Sequence, residues 1–165
     1  GAADLAVPAF YEGAAQRGDW SYYVLDGETI ASYGWYSTGA VPVVGDRSIS
    51  FSPRFVYMYK GFTLPEHRGR QLHAYGMAHA AAGAVAQGYE GLISYVEIHN
   101  EGSLRSVARL GYRSFGTCYR ARVLGKTMTF SSSGCEPYQF RLVGPRDSSH
   151  RQAVAEGPTG QPVTG

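Results

Sequence analysis

Between Phe55 and His99 the chain passes from a strand-like segment through a proline-led turn into a long helix of small residues, then out into a second strand-like segment. No other feature constrains the fold as much. Phe55 to Thr63 is rich in aromatic and β-branched residues, and Pro65 closes it, because proline lacks an amide donor and biases Leu64 toward an extended conformation. Arg68 to Gln87 is dominated by Ala, Met, Leu and Gln, all good helix formers. The small groups Ala74, Gly76, Ala80, Ala81 and Gly83 would let that helix approach a sheet closely, and Gly88 ends it. From Gly91 to His99 the pattern turns to that of a strand, with Leu92, Ser94, Val96 and Ile98 on one face and Ile93, Tyr95, Glu97 and His99 on the other.

The flanking segments fit around this unit. Apolar groups at Leu5, Ala6, Ala9, Phe10 and Ala14 suggest a helix within residues 2–17, where Pro8 permits a first turn or a kink. Trp20 to Leu25 and Thr29 to Tyr36 read as a β-hairpin across Asp26-Gly27, a favoured tight-turn pair. Residues 37–53 read as a loop carrying a short strand at Ser48 to Phe51. Asn100 suits the cap of a helix through Leu104, Val107 and Leu110, with Gly111 at the position after its end. Ser114 to Leu124, Thr127 to Phe130 and Tyr138 to Val143 alternate as antiparallel strands do. Residues 1–143 are thus expected to form one domain, and the Pro-, Gly- and Ser-rich stretch 144–165 a flexible tail.

Composition narrows the function classes. With 44% apolar and 17% charged residues the 165-residue chain is of ordinary globular type, and a net charge of +2 gives no reason to expect nucleic acid or an anionic membrane as main partner. No apolar run is long enough to span a bilayer and Gly1-Ala2-Ala3-Asp4 lacks the features of a secretion signal, so a cytoplasmic protein is expected. Cys118 and Cys135 are too few for a disulfide framework or a zinc site, and read as buried or half-buried free thiols. Histidines at 67, 73, 79, 99 and 150 show no i, i+4 pairing, so no metal is expected.

Two motifs make the reading specific. Pro65-Glu66-His67-Arg68-Gly69-Arg70-Gln71-Leu72 follows the first core strand, and Asn100-x-x-Ser103 with Leu110-Gly111-Tyr112 follows the second. In this order they resemble the GNAT acyltransferase superfamily, in which a Pro-x-x-Arg-Gly-x-Gly-x-Gly turn opens the helix and an Asn-rich turn begins a helix ending in Leu-Gly-Phe. The resemblance covers roughly residues 18–125. It implies an α/β (α+β) GNAT fold: a mixed, mostly antiparallel central sheet with helices on both faces, here with an abbreviated N-terminal part.

By that resemblance the co-substrate is acetyl-CoA or another acyl-CoA, whose pyrophosphate would sit on the converging amides of Arg68, Gly69, Arg70, Gln71, Leu72 and His73, with both arginines adding charge. Asn100 and Ser103 belong to the second motif. Gln71 and His73 replace the family's second and third turn glycines; their amides serve equally if the residues are helical, since only a left-handed conformation demands glycine. Phe62 and Thr63 would offer main-chain hydrogen bonds to the pantetheine arm, as in strand addition. Gly61 either lets the thioester approach or marks a β-bulge.

The implied reaction is direct attack of an amine on the acyl group in a ternary complex, with a small-molecule or peptide amine as acceptor, no nucleic acid or membrane partner, and a homodimer compatible with it. Glu97 is the candidate base, directly or through water, or else pairs with an arginine in the sheet. Where many family members carry a leaving-group tyrosine this chain has Val107, so Ser103, Ser106 or water would serve; the alternative is a catalytically silent acyl-CoA-binding module. Tyr22, Tyr33, Trp35, Tyr57 and Tyr59, with Tyr36, are candidates for acceptor binding or for plain sheet core. Arg105, Arg109 and Arg113 form a basic stripe, either a solvated helix face or a contact for the 3′-phosphate.

Overall fold

A computed structural model of the chain describes residues 8–43, 47–123 and 126–144. The first helix, α1, is described over Pro8–Arg17. Residues 2–7 of the expected helix lie outside the described residues. The hairpin forms as expected: β1 (Trp20–Asp26) pairs antiparallel with β2 (Thr29–Ser37). Two short strands, β3 (Val41–Pro42) and β4 (Ser48–Ser50), fall in the following loop. Next come β5 (Phe55–Thr63), α2 (Leu72–Ala86), β6 (Gly91–Ser94) and α3 (Glu101–Arg109). The last strands are β7 (Cys118–Val123), β8 (Lys126–Ser131) and β9 (Arg141–Val143).

The main sheet has the order β1-β2-β5-β6, antiparallel except for the parallel pair β5–β6 that α2 connects. Strand alternation sorts its side chains between two cores. On one face Tyr36, Val56 and Met58 pack against Met77, Ala80 and Ala84 of α2, where alanines bring the helix close. Tyr57, Phe55 and Ile93 point the other way, into a core shared with Val41 and Ile49 of the small β3-β4-β9 sheet and with Phe51 and Phe140 beside it. On that second face α1 also docks, its Phe10 ring 5.1 Å from Trp35 and 6.3 Å from Tyr59. Each fully buried Val or Ile, such as Val56 or Ile49, contributes about 1.5–3 kcal/mol by transfer from water.

Several elements are shorter than the sequence pattern suggests. The second core strand stops at Ser94 instead of His99, the helix expected from Arg68 starts at Leu72, and β7 starts at Cys118 instead of Ser114. The last of these has a packing cause: Phe115 leaves the ladder to stack on Tyr138 at 4.1 Å and to meet Phe140 edge-on at 5.4 Å. For β9 the residues before Arg141 form a turn with Gln139 at φ 49°, which delivers Phe140 into the core. The stretch beyond Gly144, expected as a tail, lies outside the described residues.

Candidate functional site

The strands β5 and β6 begin as neighbours and part midway. Their parallel register runs from Phe55↔Gly91 to Met58↔Ser94 and ends there, while β5 continues to Thr63 against β2 alone. The cause lies in β5. Its pairing with β2 shifts between Tyr33↔Phe62 and Trp35↔Tyr59, so Lys60 and Gly61 together oppose Gly34 in a β-bulge, with Lys60 in the left-handed region at φ 49°. A bulge bends its strand and redirects the residues beyond it, here turning the Tyr59 to Thr63 edge away from β6. At the fork itself the Ser94 hydroxyl donates to the Met58 carbonyl at 3.0 Å.

The divergence opens a cleft of about 790 Å³ lined by Tyr57 to Thr63 on one side and by Ser94 to Glu97, Asn100, Ser103 and Val107 on the other. It adjoins a recess of about 480 Å³ between the turn before α2 and one face of α3, and Thr63, Arg68, His73, Gly102 and Ser106 line both. The expected donor segment Phe62-Thr63 therefore sits on the cleft wall, and so does Gly61, as part of the bulge.

The turn is built by three local devices. Pro65 to His67 forms a single 3₁₀ turn, Gly69 takes φ 79° and Gln71 takes φ 58°, after which α2 begins. Gln71 carries the first helical carbonyl, accepting from the Tyr75 amide at 3.0 Å, but its side chain makes no capping bond. Leu72, His73 and Ala74, whose amides precede the first helical hydrogen bond, line the recess at the positive end of the helix. The expectation that Gln71 would be helical is corrected: it adopts the very conformation that favours glycine, the residue the family carries there.

The charges at the corner also differ from the expectation. Arg70 does not line the recess; its Nη1 lies 3.3 Å from Asp26 Oδ2 and 3.0 Å from His67 Nδ1, tying the turn back to the β1–β2 hairpin. Arg68 does line it, with Nε donating to the Thr63 carbonyl at 3.3 Å. Its cationic partners come from the basic stripe: Arg105 and Arg109 face the turn across the recess from α3, and Arg105 also pairs with Glu101 at 3.0 Å. The spacing of four residues, which puts both on one helical face, is the sequence signal for this.

At the second motif Asn100 caps α3, its Oδ1 accepting from the Ser103 amide at 3.1 Å, and Gly111 follows the helix at φ 83°. Ser103, Ser106 and Val107 all line the cleft. Glu97 lines the cleft but is exposed, three residues past the end of β6; the expectation that it lies within the second core strand is corrected, because the strand pairing has already stopped.

Of the aromatic candidates, Tyr57 and Tyr59 line the cleft, stacked 6.2 Å apart. The other four do not line it. Trp35 packs on α1, Tyr22 meets Trp20 and Tyr36 beneath α2, and Tyr33 lies against Phe62. Tyr95 lines the mouth as well, a role that strand alternation alone does not reveal.

Two buried polar groups back this wall. The Asp19 carboxylate, with 0% of its side chain exposed, accepts from Tyr59 Oη at 2.5 Å and from Arg17 Nε at 2.9 Å. Burial and that hydrogen bond raise the Tyr59 phenol well above its ordinary value. Tyr57 is raised by burial and by the neighbouring Tyr95. On the α2 side, burial holds the His73 imidazole below its usual value, partly offset by a hydrogen bond to the Tyr33 main chain. Among the described residues no three His, Cys, Asp or Glu side chains gather as a metal site, and no helix is long and apolar enough to cross a membrane.

No family model and no curated protein matches the sequence. Solved structures do. A candidate acetyltransferase from Agrobacterium tumefaciens str. C58 superposes with a TM-score of 0.53 at 16% identity, over 70% of this chain and 76% of that one. An N-acetyltransferase from Staphylococcus aureus Mu50 gives 0.51 at 10% identity, over 83% and 74%. A point variant of the BH1408 protein from Bacillus halodurans gives 0.56 at 16% identity, over 72% and 76%. At such identities the likeness is one of fold, and the fold is that of the GNAT acyltransferases implied by the two motifs.

Proposed function

We propose that the chain is an acyl-coenzyme A-dependent acyltransferase, in its simplest form an N-acetyltransferase acting on an amine. One observation carries this reading: the β5–β6 ladder ends at Met58↔Ser94, and the resulting cleft runs directly into a recess headed by the α2 amides and by Arg68, Arg105 and Arg109. A polyphosphate fits the recess, since helix-terminal N–H groups and guanidinium forks both favour anionic oxygens. An extended arm fits the cleft, where among the described residues β6 no longer pairs with β5 beyond Met58.

The thioester of the bound co-substrate supplies an activated acyl group. The chain's own contribution is chiefly to hold that group and the amine together at the fork, a source of several powers of ten in rate. The new nitrogen–carbon bond forms as the carbon–sulfur bond breaks. In this reading the amine's proton passes through water to Glu97 at the mouth, and the departing thiolate is protonated by water or through Ser103 or Ser106, because Val107 has no proton to give. Tyr57, Tyr59 and Tyr95 line the acceptor end, a surface suited to small amines or peptide segments.

Val107 at the tyrosine position favours a second reading, a module that binds acyl-coenzyme A without turning it over. A thermal-shift titration with acetyl-coenzyme A, followed by a thiol-release assay against an amine panel, separates the two. Stabilisation with thiol release supports the enzyme, and stabilisation alone supports the binding module. No stabilisation by acetyl-, longer acyl- or free coenzyme A overturns both.

A further inference from the structure

His73 stands where the GNAT turn carries a small residue, and its ring is not idle. It lines the arginine-lined recess and the cleft alike. The imidazole lies on the bare Cα of Gly61 at the bulge: a Cβ built there would stand 2.7 Å from Nε2, so this glycine is the seat of this ring. A hydrogen bond to the Tyr33 main chain holds the ring, and because that bond favours the cation it is one the ring donates to the carbonyl. A neutral imidazole that commits its N–H in this way keeps a lone pair on the other nitrogen.

We infer that His73 is a binding residue for the arm of the acyl donor, its free ring nitrogen accepting a hydrogen bond from an amide N–H of the pantetheine unit beside Gly61. This rests on the proposed function, since it assumes coenzyme A in the cleft. The bulge and the ring act together: Lys60 and Gly61 bend β5 away from β6, and His73 fills the space under the bend with a polar acceptor instead of a void. An amide N–H arriving there would otherwise lose its hydrogen bonds to water without replacement. The first two amides of α2 and the arginines serve phosphate, whereas the ring, turned onto the strand, serves the arm.

Calorimetric titration of the wild-type chain, His73→Ala and His73→Asn at pH 7.5 tests this, using coenzyme A and adenosine 3′,5′-bisphosphate, which lacks the arm. His73→Ala is expected to weaken coenzyme A roughly tenfold while leaving the bisphosphate within about twofold, and His73→Asn, which retains an acceptor, to recover part of the loss. Equal weakening of both ligands would mean that the ring only supports the turn, and unchanged coenzyme A affinity would mean that it touches nothing; either overturns the inference while the proposed function stands. Failure of the wild-type chain to bind coenzyme A would remove the functional reading and this inference together.

Discussion

The Ser94 hydroxyl donates to the Met58 carbonyl at 3.0 Å, at the last rung before β5 and β6 separate. This bond occupies a carbonyl that the next rung of the ladder would otherwise have to satisfy. Ser94→Ala is expected to cost about 1 kcal/mol, a fall in melting temperature of roughly 2–4 °C for a domain of this size, read by thermal denaturation monitored by circular dichroism. An unchanged melting temperature would show that water replaces the hydroxyl at no cost.

Arg70 and Arg109 should exchange the importance that their sequence neighbourhoods suggest. Arg70 is engaged by Asp26 and His67, whereas Arg109 faces the recess. Arg109→Ala is expected to weaken coenzyme A by about fivefold, close to 1 kcal/mol for one partly solvated charge, and Arg70→Ala by less than about twofold. The Arg109 effect should shrink as salt is raised. Calorimetry at two ionic strengths measures all three.

Gln71 holds φ 58° without a glycine's freedom. For a residue with a Cβ the left-handed region costs roughly 1–2 kcal/mol, part of which Gly would return as unfolded-state entropy. Gln71→Gly is therefore expected to stabilise the fold by up to about 1 kcal/mol in urea denaturation. A destabilised variant would mean that the glutamine side chain makes contacts that outweigh its strain.

Stability should fall at both ends of the pH scale for identifiable reasons. His73 is depressed below its ordinary value of 6.5 by burial, so the unfolded chain takes up a proton that the folded chain refuses, and stability drops as pH falls below about 6.5. His73→Gln should flatten this limb of a pH series of urea midpoints. At the alkaline end Tyr36, Tyr57 and Tyr59 are raised by burial, and Tyr112 is pushed up to about 12 by the same cause. Their stabilising effect is complete below the ordinary phenol value of 10.0 and is lost as pH rises through the folded values, so alkaline unfolding should coincide with phenolate absorbance appearing above pH 10.

The sequence made the elements legible wherever local chemistry decides them. The bounds of β5, the Asp26-Gly27 hairpin, the Asn100 cap and Gly111 are all set by neighbours in the chain. What it concealed was decided from a distance. The alternation of Tyr95 to His99 continues past Ser94, yet a strand needs a partner, and its partner is bent away by Lys60 and Gly61. Helix propensity runs unbroken through Arg70 and Gln71, so it could not reveal the left-handed residue that delays α2 to Leu72. Arg70 finds Asp26 on a hairpin far back in the sequence, and the recess takes its other charges from α3, a meeting that only the folded sheet arranges. Of six aromatic residues suggested for the acceptor, the two on β5 reach the cleft, because alternation and the bulge aim the rest into α1, α2 or the sheet.

The margin of β5 beyond Met58, where the β6 ladder has stopped, has one more consequence, for solubility. Exposed strand borders recruit other chains and seed aggregates. Here that border is one wall of a cleft whose lining also includes Arg68 of the turn ahead of α2 and Ser103, Ser106 and Val107 of α3. A border set inside a cleft in this way is less open to edge-to-edge pairing than the same strand would be on an outer rim.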